Sequence, residues 1–268
     1  MESGVRRWLV NVSLWNPSVD QFASVVSLLP EDEQRTITKY MKFDDRKRAL
    51  VSRLLQYSIV HEVLGIPYDK IIIHRTLEGK PYLINGIGSP FSNFNFNVSH
   101  HGDYVGIASD PLCLVGLDIV SIMIPEQTTE HEFMSNFSSY LTALEWKNIA
   151  KTGTSEVKLR EFYRYWCLKE AFVKATGAGL GFGFHRLEFH HKNWTDISVY
   201  IDGIESREWK FSLYKIDERH WASIARGLAN GADEQFDASL PVTEVGFIQR
   251  TVDQLIQSRS HGAQQNSC

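Results

Sequence analysis

Trp166-Cys167-Leu168-Lys169-Glu170-Ala171-Phe172-Val173-Lys174-Ala175-Thr176-Gly177 closes a long helical stretch, and its reading decides the fold. The helix is expected to run from Ser155 to Thr176. Gly177 is the stop, because glycine enters the left-handed conformation that ends helices at no steric cost. Glu170 and Lys174 are four residues apart and share a face of that helix. Upstream, Leu114-Val115-Gly116-Leu117-Asp118-Ile119-Val120 reads as a buried strand with a single carboxylate in apolar sequence. Asp118 is costly there unless it meets a cation or hydrogen bonds. The bland reading of Glu170 and Lys174 is a surface pair worth roughly a few tenths of a kcal/mol. The sharper reading adds Asp118 across a strand–helix interface. Two carboxylates then suit a hard divalent cation, and the lysine suits phosphate oxygens.

Working outward, both sides of this stretch mix helices and strands. Trp8 to Trp15 alternates as a strand, Pro30-Glu31-Asp32-Glu33 opens a helix, and Asp44 or Asp45 caps a second one that runs to Leu64 before Gly65. Short strands are expected at Ile71–Ile73, Tyr82–Ile84 and Tyr104–Ala108. After the loop Gly179-Leu180-Gly181-Phe182-Gly183, further strands follow at 187–189, 197–201, 209–214 and 220–225. The class is α+β, in two similar α/β halves: residues 1–115, and residues 116–228 with the metal-binding helix. Residues 229–268 are polar and are expected to be a flexible tail, with one short amphipathic segment at Val245 to Ile256.

Two more clusters sit between these elements. Arg75-Thr76-Leu77-Glu78-Gly79-Lys80-Pro81 has a glycine that lets backbone approach a ligand, flanked by phosphate-directed charge. Alone it is an ordinary hairpin turn with solvated charges. Phe96-Asn97-Val98-Ser99-His100-His101-Gly102-Asp103 gathers short polar side chains at a strand end, where ligands are commonly met. Alone it is a polar turn with an exposed histidine pair.

Bulk properties set limits. A chain of 268 residues, 43% hydrophobic, can bury a proper core and is not wholesale disordered. Its net charge of −4 excludes the electrostatic footprint of a nucleic-acid binder. A polyanionic ligand must be held by a local basic cluster. The three cysteines, Cys113, Cys167 and Cys268, lack zinc spacing and suit a reducing compartment. No apolar run approaches the ~20 residues that span a bilayer, and no secretory signal opens the chain. A cytoplasmic protein without membrane contact is expected.

In the order GKP, FNVSH, VGLD and WCLKEAFVKATGAGLGF, the chain resembles the two-half, broad-range 4′-phosphopantetheinyl transferases. The likeness is strongest to the eukaryotic members related to the aminoadipate-semialdehyde dehydrogenase phosphopantetheinyl transferase, and it runs to about Ala225. The resemblance implies two halves in pseudo-twofold arrangement and a monomer. It implies transfer of the phosphopantetheine arm of coenzyme A to a serine of apo carrier proteins, with Mg²⁺ as cofactor and adenosine 3′,5′-bisphosphate as leaving product. The family's metal-binding aspartate falls on Asp118. Its glutamate, metal ligand and base, falls on Glu170, and its lysine on Lys174, which serves catalysis and coenzyme A binding. The segments that hold coenzyme A fall on Arg75, Thr76, Leu77, Glu78, Gly79 and Lys80, and on Asn97, Val98, Ser99 and His100. Arg35 matches a basic position that reaches the ribose phosphate. Many bacterial members carry a second acid where this chain has Val120, so water, substrate phosphate or a neighbour such as His101 must complete the metal shell. Two alternatives stay open from the residues: a coenzyme A-binding module without turnover, and a metal-dependent pyrophosphate hydrolase. Asp118 with Glu170 argues against the first. The missing repeated-glutamate helix argues against the second.

Overall fold

The computed structural model describes residues 4–84, 93–124, 127–228 and 245–265, with the side chains of Leu180 and residues 260–265 left aside. The fold is α+β, and the chain divides into two compact units. The first comprises residues 1–75, 81–112 and 243–268; the second comprises 76–80 and 113–242.

The first unit begins with β1 (Arg6–Asn11), which stops short of the expected Trp15. The Asn11 side chain accepts the Ser13 N–H at 3.0 Å and turns the chain into a short 3₁₀ segment, Val12–Leu14. Helix α1 (Val19–Val26) is entered through a capping box of Ser18 and Gln21. Helix α2 (Glu31–Thr38) carries Glu31, Asp32 and Glu33 in its first turn, where the helix dipole favours negative charge. Helix α3 (Phe43–Leu64) has Lys42 at its N-cap, so Asp44 and Asp45 lie inside the first turn instead of capping it. It ends at Gly65, whose φ is 68°. The hairpin β2 (Ile73–Arg75) and β3 (Pro81–Leu83) follows, then β4 (Asn95–His101) and β5 (Tyr104–Asp110). Strand β5 pairs antiparallel with both β1 and β4, and α3 lies on this sheet. The polar cluster expected at a strand end is β4 itself, with Asn97 and Ser99 buried and His100 and His101 exposed.

The second unit starts with β6 (Leu114–Ser121). Two helices not foreseen follow, α4 (Glu130–Ser135) and α5 (Ala143–Ala150), each entered through a capping box led by a threonine. Helix α6 (Ser155–Thr176) has the expected bounds, with Thr154 as its cap and Gly177 at φ 69° as its stop. Strands β7 (Leu187–Lys192), β8 (Thr195–Ile201) and β9 (Ile204–Ser206) form one antiparallel sheet. Strands β10 (Trp209–Lys215) and β11 (His220–Gly227) join β6 in another, in the order β10–β11–β6. Helix α6 lies against β6 and β11. Gly116 makes that possible: a Cβ there would stand 1.9 Å from the Ala171 carbonyl oxygen and 2.5 Å from the Ala175 nitrogen. No other residue fits.

The chain then returns to the first unit. Strand β12 (Ile248–Gln249) pairs parallel with β1, and helix α7 (Val252–Gln265) packs on α3. Val252 and Leu255 are buried in the first unit's core. Arg7 donates to the Val245 carbonyl at 2.7 Å, and Arg250 pairs with Glu62 at 3.1 Å while its guanidinium lies over Trp8. The structure therefore differs from the expected tail. Residues 245–265 are an ordered strand and helix, whereas the 229–244 part of that expectation lies outside the described residues.

Candidate active site

Asp118 sits on β6 with only 5% of its surface exposed. Strand β11 places Ser223 opposite it in register. The Ser223 hydroxyl donates to the Cys167 carbonyl at 2.6 Å, and the Cys167 thiol donates to the Asp118 carbonyl at 3.4 Å. Strand, helix and strand are thereby stitched together behind the carboxylate. In front of it, the Lys174 ammonium donates to Asp118 Oδ1 at 2.6 Å. One helical turn earlier, Glu170 is close enough to Asp118 for their charges to repel.

The electrostatics follow from this crowding. Burial raises the Glu170 pKa, and the neighbouring Asp118 raises it further, with Lys174 offsetting part of the effect. Burial disfavours the Lys174 charge, yet Asp118 and Glu170 outweigh it and hold its pKa above the ordinary lysine value. The Cys167 thiol is pushed well up by burial and by Asp118, so it is an inert buried group and no nucleophile. Two carboxylates whose charges repel, with a lysine beside them, form an oxygen-donor pair that gains from a further cation. That donor chemistry fits a hard divalent ion such as Mg²⁺, which keeps several waters and needs few protein ligands. Among the described residues no group of three or more His, Cys, Asp and Glu could hold a metal. Val120, where a second acid was weighed, is buried in the hydrophobic core.

Lys169, next to Glu170 in sequence, points elsewhere. It is fully buried, pairs with the equally buried Glu145 at 2.8 Å, and donates to the Phe184 carbonyl at 3.0 Å and to the Leu187 carbonyl. Glu145 in turn accepts the Phe189 and Thr142 N–H groups at 2.9 and 2.8 Å. A buried pair saturated in this way fixes how α6 is rotated. Lys80 also turns inward: its ammonium donates to the Ala175 carbonyl, and burial depresses its pKa to about 8.

The first unit holds Arg35, Arg75 and Asn97–His100, whereas Thr76–Gly79 group with Lys80 in the second. Arg75 reaches Gln56 Oε1 at 3.3 Å and Glu33 at 3.8 Å, and Glu33 is also paired with Arg53. Burial and the adjacent Arg53 lower the Arg75 pKa. Arg35 is exposed and pairs with Glu31 at 3.0 Å, away from this cluster's hydrogen bonds. His100 lies near the start of α3, where its charge would help Arg48 to hold the Asp45 carboxyl below its usual range.

Residues 13–112 match the family model for the N-terminal part of 4′-phosphopantetheinyl transferases, and residues 114–225 match that of the 4′-phosphopantetheinyl transferase superfamily. The chain belongs to this family. The transferase is 37% identical over 238 residues to the L-aminoadipate-semialdehyde dehydrogenase-phosphopantetheinyl transferase of Mus musculus, covering 85% of this chain and 77% of that one. It is 36% identical to the protein of that name from Homo sapiens, with the same coverage. A phosphopantetheinyl transferase of a Thraustochytrium species is 34% identical over 229 residues, covering 83% and 78%. Among solved structures, the holo-[acyl-carrier-protein] synthase of Thermotoga maritima aligns with a TM-score of 0.34 at 21% identity, over 47% of this chain and 73% of that one. The Bacillus anthracis synthase in complex with CoA (3′,5′-ADP) aligns at a TM-score of 0.34 and 17% identity, over 44% and 98%.

In the transferase, sequence reasoning passed over Gly116, Glu145 and the Glu33–Arg53 pair. The glycine had a usable signal, since an isolated glycine in a strand marks a close backbone approach. Glu145 had none, because the pairing of an acid and a lysine 24 residues apart is settled only by tertiary packing.

Proposed function

We propose that Asp118, Glu170 and Lys174 carry the transfer of phosphopantetheine from coenzyme A to a carrier serine. The observation that supports this is the buried Asp118 carboxylate held 2.6 Å from Lys174, with Glu170 beside it on the same helix. In the reaction the serine Oγ attacks the phosphorus that bears the pantetheine arm, the bond to the bridging oxygen breaks, and adenosine 3′,5′-bisphosphate leaves. Glu170, its proton affinity raised by burial, takes the serine proton at its carboxylate, directly or through water. Lys174 supplies positive charge to the phosphate oxygens as charge builds on the leaving group. Asp118 orients Lys174 through their hydrogen bond. Asp118 and Glu170 are the residues that would hold Mg²⁺, whose chemistry when bound is neutralisation of the pyrophosphate oxygens. The family likeness supports coenzyme A contacts for Arg35, Arg75, Thr76–Lys80 and Asn97–His100. The buried thiols of Cys113 and Cys167 support a reducing, cytoplasmic setting, and we expect a monomer.

The test is incubation with an apo carrier protein, coenzyme A and Mg²⁺, read by intact mass. A carrier gaining the phosphopantetheine mass supports the assignment. Cleavage of coenzyme A with an unmodified carrier points to a hydrolase, and binding without any product points to a non-catalytic module.

A further inference from the structure

Strands β7 and β8 are joined by two residues, Asn193 and Trp194, because Lys192 pairs with Thr195. Both lie in the left-handed region, at φ 50° and 64°. Asparagine suits the first place of such a hairpin, but the second favours glycine. A tryptophan there is strained, since its Cβ crowds the backbone. Its contacts hold it in place. The Trp194 N–H donates to His191 Nδ1 at 3.0 Å, and the two rings stack with centroids 3.9 Å apart and planes 15° from parallel. The indole N–H donates to Glu161 Oε2 at 2.9 Å. The Arg164 guanidinium lies 5.2 Å from the same indole and 4.1 Å from the Trp221 ring. The hairpin tip is thus docked on α6 through Glu161 and Arg164, just ahead of Trp166–Lys174.

These bonds fix the His191 tautomer. Nδ1 accepts, so the proton of the neutral ring is on Nε2, 3.0 Å from the Tyr165 hydroxyl. That hydroxyl also accepts from the Asn148 amide of α5 at 3.2 Å. Burial pushes the Tyr165 pKa up to about 12, so the phenol stays neutral. The charged groups facing the ring from α6 are Arg164 and Glu161, which pair at 2.6 Å. Beside it on β7 is His190, paired with Glu188 at 2.9 Å.

We propose that His191 is a proton-operated latch for the β7–β8 hairpin: the neutral ring accepts the Trp194 N–H and keeps the tip docked on α6, and protonation at Nδ1 removes that acceptor and releases the strained turn. Burial opposes the imidazolium, and Arg164 and His190 oppose it further, so the docked ring has a pKa below the ordinary histidine value. A released ring titrates near about 6.5. The released state therefore binds the proton more readily, so docking is at full strength above about pH 6.5 and weakens as pH falls below it. The latch does not draw on Asp118, Glu170 or Lys174, and it stands apart from the transferase reading.

Hydrogen exchange and nitrogen NMR on the full chain test it. At pH 7.5 the His191 ring should show a protonated Nε2 and an unprotonated Nδ1; the opposite tautomer overturns the proposal. Below about pH 6.5 the protection factor of the Trp194 amide, corrected for intrinsic exchange, should fall by up to about tenfold per pH unit. His191→Asn offers an amide oxygen in place of Nδ1 and does not titrate, so its protection should be independent of pH. His190→Gln should keep the wild-type pH dependence, and it also serves if the asparagine variant does not fold. Equal Trp194 protection at pH 5.5 and 7.5 in the wild-type protein overturns the latch. So does a pH dependence that survives in His191→Asn or disappears in His190→Gln.

Discussion

Helices α3 and α6 are each 22 residues long, each ends at a glycine in the left-handed region, and each lies on a sheet, mixed under α3 and antiparallel under α6. Their buried polar groups differ. Within α3 one is charged, Lys47, whose ammonium donates to the Val12 carbonyl at 3.5 Å, and beyond it they are neutral: Ser52, Gln56 and Ser58, with the Gln56 amide donating to the Ser52 carbonyl at 2.9 Å. Within α6 the fully buried one is charged, Lys169 on Glu145, and the half-buried Lys174 reaches the buried carboxylate of Asp118. Burying charge costs several kcal/mol per ion unless it is well paired, so evolution has cheaper ways to fill a helix–sheet interface. The first helix shows one of them. In the function proposed above, one pair of the second helix supports chemistry and the other holds that pair in register.

The comparison breaks most sharply at Asp118. Asp118→Ala should reduce transfer to background while the thermal transition barely moves, since relieving a buried carboxylate offsets the lost pairing. A folded variant that transfers at wild-type rate across a Mg²⁺ series sinks the assignment. Next, Glu170→Gln should lower turnover by about 10²–10⁴-fold with coenzyme A affinity largely kept, measured by steady-state kinetics and calorimetry. An unaltered kcat removes Glu170 as the base.

Lys169→Met strands Glu145 in the core and should destabilise the protein by about 3–5 kcal/mol in denaturant titration. Combining it with Glu145→Leu should recover much of that loss, because an apolar pair of similar volume is often close to neutral. If the double variant regains stability but not kcat, the charged pair sets register; if it regains both, the pair is only filling. On the other side of the comparison, Leu255→Ala should cost about 2–5 kcal/mol through the cavity it leaves beside α3. An unchanged denaturation midpoint means that α7 is detached in solution. The smallest effect belongs to Gln56→Leu. The neutral network of α3 carries no chemistry in this reading, so kcat should hold and only the KM for coenzyme A should rise, through lost support of Arg75.

Much of this was legible in the sequence where local signals agree. Helix α6 shows its stop at Gly177, and the isolated Asp118 in an apolar strand announces a partner. What stayed hidden depends on distant partners. β12 and α7 look like tail because Ser258-Arg259-Ser260-His261-Gly262 is polar and only Val252, Leu255 and Ile256 are apolar at useful spacing. Their stability comes from β1 and α3, roughly two hundred residues earlier, and periodicity cannot report that. The inward turn of Lys80 was hidden for the same reason: a GKP turn reads as solvent-facing until the helix end that receives it is known.

The return of β12 to β1 fixes an order of assembly on the ribosome. Synthesis finishes β11 at Gly227, before Val252 and Leu255 are translated. The second unit therefore has all its described elements while the first still lacks a strand and a helix of its own. The segment made first is completed last, and until α7 emerges the nascent chain exposes the apolar surface of α3 and the open edge of β1. A chaperone that shields nascent chains should engage that surface over the whole interval, and synonymous changes that slow translation after Gly227 should lengthen the exposure.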